Sequence, residues 1–280
     1  MPKISIITPC YNAEKYIGKT IESLLASTFT DWEHIVVDDG SSDNSAEIVL
    51  SYASNEPRLR LIKQANGGVC NARNNGFKVC SPESEYLMFF DADDCIEPQM
   101  LEVMVNYLDK HPHVGVACSD GWHIDSEDKI LEDFYFPRFF PSEKGEFEEV
   151  SYDVPEIPFF SIAVGVCKES GSFLRQSVYA KTSGWSESLG QGREGNDLFM
   201  QMGLLSDAHF IPQKLYKYRQ HNTQSHKSLD DQAQVDKLIA KWKEGKGLTL
   251  EQKAKVAKVL EYIPAFEQFL YRRDELYLSS

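Results

Sequence analysis

Short β-branched runs and helix-spaced segments alternate through residues 4–110, and no other feature limits the fold as tightly. Parallel strands cannot be joined by a tight hairpin; each needs a crossover, usually a helix. Ile4–Thr8, His34–Val37, Leu59–Lys63 and Tyr86–Phe90 have strand composition. Ala13–Ser27, Ser42–Tyr52, Val69–Val79 and Pro98–Lys110 follow them in turn with apolar residues at helical spacing. Ser41 or Ser42 is available as the cap of the second helix. The pattern predicts an α/β fold, a Rossmann-like, mostly parallel sheet with helices on both faces. Ligands of such sheets sit beyond the carboxyl ends of the strands. Attention therefore falls on Pro9–Asn12, Asp38–Ser42, Gln64–Gly68 and Asp91–Asp94.

Beyond a further strand at Val114–Ser119 the alternation fails. Residues 121–171 are rich in Phe, Pro and Glu, as in FYFPRFFP and VPEIPFF. This segment is expected to be irregular, with short strands that shape an acceptor cleft or pack a loop onto the domain. Phe173–Ala180 has strand composition, Asp197–Leu205 helical spacing, and Ala208–Arg219 the look of a terminal strand and its return. Two amphipathic helices are predicted near Gln232–Glu244 and Thr249–Phe269, with Thr249 and Gln252 forming a capping box.

Charge separates the tail from the rest. The chain of 280 residues has a formal net charge of −14. From Asp230 onward there are 9 basic and 9 acidic side chains, so the whole acidic excess lies in residues 1–229. That excess argues against a general nucleic-acid-binding face and suits a site that gathers a divalent cation. The six cysteines form no C-x-x-C pair. With no signal-like start and no apolar run of about 20 residues, they suggest reduced thiols in a cytoplasmic setting.

Three local signals carry chemistry. Phe89-Phe90-Asp91-Ala92-Asp93-Asp94 crowds three carboxylates after an apolar strand. Such a cluster must be solvated or stabilised by positive charge. It suits Mg²⁺ or Mn²⁺, which take one or two carboxylates together with substrate phosphates, or it caps the next helix. Alternation along an extended segment puts Asp91 and Asp93 on one side. Val36-Val37-Asp38-Asp39-Gly40-Ser41-Ser42-Asp43 also follows a strand. Its carboxylates can accept from a nucleobase or ribose, or can simply close a strand-to-helix turn. In Asn66-Gly67-Gly68-Val69-Cys70-Asn71-Ala72-Arg73-Asn74 two glycines open a helix whose first N–H groups could face an anion. Arg73 near that end disfavours the helix dipole. It makes sense if it answers a carboxylate or a diphosphate.

SIITPCYN, VVDDGSSDNS, NGGVCNARNNGF and FFDADD, in that order and at suitable intervals, resemble the family 2 inverting glycosyltransferases of GT-A fold over residues 3–225. The resemblance implies that Pro9, Tyr11 and Asn12 surround the donor nucleotide. It implies that Asp39 meets the uracil or ribose, and that Gly68 and Arg73 lie near the diphosphate. Asp91-Ala92-Asp93 matches the DXD motif, with Asp93 as direct metal ligand and Asp91 at the ribose or a metal-bound water. Tyr218-Arg219-Gln220-His221 resembles the closing Y-R-x-H segment, which implies His221 at the metal or diphosphate in preference to His226. Ser172-Phe173-Leu174-Arg175 and Gly184-Trp185-Ser186-Glu187 resemble the family's later strand and turn. Gly192-Arg193-Glu194-Gly195-Asn196-Asp197-Leu198 stands where members often read E-D-x-D-L. Gly195 occupies the second acidic position, at the expected tip of a turn. Glu194 or Asp197 must then serve as general base, with Asp94 or a carboxylate of Asp120–Glu132 next in line; helix capping is the competing role for Asn196 and Asp197.

The expected division is a GT-A domain over 1–229 and a C-terminal helical extension over 230–280. Within the domain, residues 1–120 bind the nucleotide-sugar and 121–229 the acceptor. The expected partners are a nucleotide-sugar donor, UDP-sugar ahead of GDP- or dTDP-sugar, and a glycan or glycoconjugate acceptor. The expected cofactor is Mn²⁺ or Mg²⁺. The extension packs on the domain, mediates self-association or docks peripherally on the inner membrane face. Two rivals stand beside the transferase. A sugar-1-phosphate nucleotidyltransferase needs a basic, Gly-rich first loop that ITPCYNAEKY does not supply. A non-catalytic nucleotide-sugar-binding module of the same fold is the other.

Overall fold

The structure is a computed structural model that describes residues 1–134, 139–141, 147–149, 155–163, 170–189, 193–221 and 231–263. The first half runs β1 (Ile4–Cys10), α1 (Ile17–Leu25), β2 (Trp32–Asp38), α2 (Ser45–Ala53), β3 (Leu59–Lys63), α3 (Val69–Val79), β4 (Tyr86–Phe89), β5 (Cys95–Ile96) and α4 (Met100–Lys110). It continues with β6 (Val114–Ile124), β7 (Ile130–Phe134), β8 (Phe139–Pro141), β9 (Phe147–Glu149), α5 (Phe159–Ala163), β10 (Phe173–Arg175) and α6 (Gln176–Tyr179). The last described elements are α7 (Glu194–Gly203), β11 (Asp207–Arg219), α8 (Asp231–Glu244) and α9 (residues 250–263).

The main sheet has the order β3-β2-β1-β4-β10-β6-β11-β5, with β7 paired to β6. β3, β2, β1 and β4 run parallel to one another, and β6 is parallel to β11. β10 lies antiparallel between β4 and β6, and β5 and β7 are antiparallel at their places. Successive side chains of a strand point to opposite faces, and the core divides accordingly. Ile7, Ile35, Val37, Leu87 and Phe89 pack with Cys70 and Ala72 of α3 and with Leu198, Phe199 and Met202 of α7. Ile4, Ile6, Tyr86 and Met88 pack with Leu24 of α1 and Met100, Leu101, Met104 and Val105 of α4. Val36 joins Ile17, Ile21 and Val49 of α1 and α2. Helices thus cover both faces, as the alternation predicts.

Four local expectations need correction. Phe173–Ala180 is a three-residue strand followed by the short α6, because Gln176 turns out of the sheet and its N–H donates to the Glu85 carbonyl. Helix α2 is entered from Asn44, with Asp43 accepting from the Ser45 N–H and hydroxyl; neither Ser41 nor Ser42 caps it. Helix α7 starts at Glu194, so Gly195 lies in its first turn and Asn196 bonds the Ala163 carbonyl at 3.0 Å. Segment 208–219 is one long strand with register shifts against β6, without a return. The capping box forms as expected: the Thr249 N–H meets Gln252 Oε1 at 3.0 Å and the Gln252 N–H meets Thr249 Oγ1 at 3.2 Å.

The described part of the extension, residues 231–263, packs on the domain. Val235, Leu238 and Trp242 of α8 and Val256, Val259, Leu260 and Ile263 of α9 share a core with Phe160 and Ala163 of α5, Leu189, and Met200 of α7. The expected end of the last helix at Phe269 lies outside the described residues.

His34, fully buried in β2, bonds Thr8 Oγ1 through Nε2 at 2.8 Å. Burial holds its pKa down from 6.5 to about 3. The unfolded chain takes up the proton first, so the stability tied to this group is whole above pH 6.5 and declines as the pH falls toward 3. The slope is about 1.4 kcal/mol per pH unit. Urea unfolding at pH 7 and pH 5, compared between the parent and His34→Gln, isolates this term. Asp94, whose carboxyl is pushed the opposite way, is common to both. The variant is expected to lose the greater part of the decline; equal slopes would refute the assignment.

Candidate active site

The β1–α1 and β2–α2 loops are sewn together at the carboxyl end of the sheet. Asn12 has a left-handed backbone, φ 50°. Its N–H donates to Ser41 Oγ at 3.0 Å, and its Oδ1 accepts from the Ser42 N–H at 2.8 Å. Asn and Asp tolerate that conformation better than other side chains. Pro9 pairs with Val37 in the parallel ladder, and Tyr11, just after the strand, is 56% exposed.

Asp39 is buried, and its carboxylate accepts from Gln64 Nε2 at 2.7 Å and from the N–H groups of Gly67 and Gly68, each at 2.8 Å. It shapes the glycine loop that starts α3. Gly68 has φ 86°, and a side chain there would meet open space, so the backbone conformation requires the glycine.

Arg73 stands at the centre. It is 4% exposed; its Nη2 donates to Asp91 Oδ1 at 2.9 Å and its Nη1 lies 3.6 Å from Glu194 Oε1. Its guanidinium covers the Trp185 ring at 4.1 Å from the centroid. Trp185 is held by Asn74, which accepts from its N–H at 3.0 Å and donates to its carbonyl at 2.9 Å. One cation on α3 therefore joins a carboxylate that ends β4 to one that begins α7.

The three clustered aspartates separate. Asp91 and Asp93 keep 34% and 26% of their side chains exposed, while Ala92 packs with α1 and α2. Asp93 Oδ2 meets His221 Nε2 at 2.8 Å, and Tyr16 lies against the His221 ring at 4.8 Å between centroids. Asp94 is fully buried instead. It accepts from Tyr216 Oη, from Ser170 Oγ at 3.1 Å and from the Arg219 N–H at 2.9 Å. Burial, reinforced by the charges of Asp93 and Asp91, pushes its carboxyl well above the ordinary range. Asp94 is thus no solvent-facing base; it anchors β11 beneath the DXD loop. Arg219, fully buried, completes that anchor by donating to the Asp93 carbonyl at 2.7 Å and pairing with Asp128 at 2.6 Å.

Asp197 and Glu194, three residues apart, part company. Asp197 has no exposed surface and accepts from Lys241 Nζ at 2.7 Å, Trp242 Nε1 at 2.9 Å and Gln201 Nε2 at 3.0 Å. It faces α8. Glu194 is the one that meets Arg73. The contributions of Ser170, Tyr216, Lys241 and Trp242 had no signal in the sequence, because each acts across a gap of 44 residues or more. Gly192 and His226 lie outside the described residues. Among the described residues no three His, Cys, Asp or Glu side chains stand together as a ready metal cage, and no helix is long and apolar enough to cross a membrane.

The chain resembles known proteins in sequence and in fold. The model for "Glycosyl transferase family 2" matches residues 5–162. The uncharacterised glycosyltransferase EpsJ of Bacillus subtilis (strain 168) is 39% identical over 129 residues, which are 46% of this chain and 36% of that protein. The chain thus spans about a third of the length of this relative. S. aureus TarS 1-349 in complex with UDP-GlcNAc superposes with a TM-score of 0.71 at 21% identity, over 93% of this chain and 71% of that one. The mannosyltransferase PcManGT from Pyrobaculum calidifontis, in complex with GDP-Man and Mn²⁺, superposes with a TM-score of 0.62 at 16% identity, over 93% and 69%. At these identities the two structures bear on the fold alone, and both are GT-A-like transferases. The family match extends over more than half of the sequence and takes in the loops that carry Asp39, Arg73 and Asp91-Ala92-Asp93; the chain belongs to glycosyl transferase family 2.

Proposed function

We propose that this protein transfers a sugar from a nucleotide-diphosphate donor, a UDP-sugar foremost, to a hydroxyl of a glycan or glycoconjugate, with inversion at the anomeric carbon. The observation that carries the reading is the Asp91–Arg73–Glu194 chain beside the Asp93–His221 pair. It sets groups suited to a diphosphate next to a carboxylate suited to an acceptor hydroxyl.

Asp93 and His221 bring one oxygen and one nitrogen donor to a single point, with Asp91 partly exposed two residues away. That set fits a hard divalent cation whose remaining ligands are substrate phosphates and water. When bound, Mn²⁺ or Mg²⁺ neutralises charge that develops on the departing nucleoside diphosphate. Tyr11 and Asn12 flank the nucleotide, and Asp39 holds the glycine loop ready for it. Arg73 adds fixed positive charge at the diphosphate without reorganisation.

Glu194 takes the proton of the acceptor hydroxyl as its oxygen bonds to the anomeric carbon. The bond from that carbon to the diphosphate oxygen breaks on the opposite side, and the nucleoside diphosphate leaves with the electron pair. Support for a UDP donor comes from the nucleotide in the TarS complex, and support for a metal from the Mn²⁺ of PcManGT. The GDP-Man of the latter keeps GDP-sugars as the second reading.

The test is a panel of UDP-, GDP- and dTDP-sugars with Mn²⁺, read as nucleoside diphosphate release with and without glycan acceptors. UDP release is expected to be the fastest and to rise with a suitable acceptor. Faster GDP or dTDP release would reassign the donor. No release from any donor would leave a non-catalytic binding module.

A further inference from the structure

Helix α7 begins with Glu194, and its first turn is held from two directions. On the sheet side Arg73 reaches Glu194. On the other side Asp197 is sealed from solvent and accepts from Lys241 and Trp242, neighbours on α8. Residues three apart on a helix are close on its surface, so a shift of Asp197 shifts Glu194. Below this turn, Met200 of α7 shares its core with Val235, Leu238 and Trp242 of α8 and with Val259 and Leu260 of α9. Asn196 ties the same turn to α5 through the Ala163 carbonyl at 3.0 Å.

A buried carboxylate is costly unless its charge is answered. Here the answer comes from the extension, about 44 residues further along the chain. An apolar residue at position 197 would have packed α7 on α8 as well, with no fixed direction. Charge-assisted hydrogen bonds to two different donors add that direction. It matters at this spot, because a displacement of a reacting group by about 1 Å can cost about a hundredfold in rate.

We infer that α8 is part of the reaction machinery, with Lys241 and Trp242 acting through Asp197 as positioning residues for Glu194. The inference deepens the proposed function and rests on Glu194 as the base. The extension is then a buttress for catalysis and not a separable appendage.

The test uses the full chain, with Trp242→Phe and Lys241→Met made in the parent and in Glu194→Gln. Trp242→Phe keeps an aromatic ring in the core and removes only the N–H donor. Lys241→Met keeps the stem and removes the charge, and Lys241→Arg restores it. Kinetics are read as UDP release from the fastest UDP-sugar of the panel. In the parent, kcat is expected to fall at least about tenfold in Trp242→Phe and Lys241→Met, with KM for the donor within about twofold, as expected when a group is displaced from the transition state alone. Lys241→Arg is expected to keep most of the parental kcat. In the Glu194→Gln background the same changes are expected to have little further effect, because residues that act through one group are not additive. Parental kcat in both single variants, an equal fall in both backgrounds, or a rise in KM at constant kcat would each overturn the inference. If one variant fails to fold, the other carries the same comparison. Parental kcat in Glu194→Gln alone would remove the base assignment, and this inference with it, and that outcome is separate from the others.

Discussion

Asp93→Asn is expected to lower UDP release from a UDP-sugar by at least about a thousandfold at saturating Mn²⁺. Loss of metal stabilisation at a leaving diphosphate is worth several kcal/mol, and about 1.4 kcal/mol is a factor of ten in rate. Asp93 is partly exposed, and its carboxylate bonds to His221. The amide keeps an oxygen for that contact while losing the charge that a cation needs. The melting temperature should therefore change little, and UDP affinity should lose its dependence on Mn²⁺. The measurement is a Mn²⁺ titration of EDTA-treated protein, by calorimetry with UDP and by steady-state turnover. Normal turnover of the variant in metal-free buffer would remove the metal role from this motif.

Glu194→Gln is expected to lower turnover by at least about a hundredfold, the lower end of what a general base contributes. The substitution is isosteric and leaves Arg73 its contact with Asp91, so donor affinity and melting temperature should hold. Asp197→Asn should differ in both respects: the milder fall in turnover, because it acts on Glu194 only through the helix turn, and a clear loss of stability. Its carboxylate is fully buried and paired with Lys241, and loss of its charge is expected to cost about 1–3 kcal/mol of stability. The cost stays below that of a fully stranded charge because Lys241 is about one-third exposed and can turn to water. Turnover and urea unfolding of the two variants side by side separate the roles. A Glu194→Gln enzyme with near-parental rate would send the search for the base to the Asp120–Glu132 segment.

The difference between these two carboxylates marks where sequence reasoning stops. Glu194 and Asp197 have the same chemistry and lie in one helical turn, and nothing local tells which of them meets Arg73. The answer depends on α8, whose Lys241 and Trp242 claim Asp197. The fate of Asp94 is similar. Residues 91–94 form a turn, with the Asp94 N–H donating to the Asp91 carbonyl at 3.3 Å, and not the extended segment that strand alternation assumes; only β11 and Ser170 reveal what receives Asp94.

What the sequence by itself determined follows from short-range periodicity. Side chains alternate every two residues in a strand and recur every 3.6 in a helix. The alternating first half, the two-faced core and the Thr249–Gln252 capping box are all legible within a dozen residues. So is the placement of the candidate loops, because a parallel sheet collects its loops at one end. The tertiary structure decided everything that joins distant segments: His221 to Asp93 across 128 positions, Arg73 to Glu194, and the extension to α7. It also decided where Phe173–Arg175 inserts, antiparallel between β4 and β6, and why the apolar run then leaves the sheet. The physical reason is the same in each case. A side chain's direction within its own element is set by backbone geometry, whereas its partner is set by which surfaces the whole chain buries together.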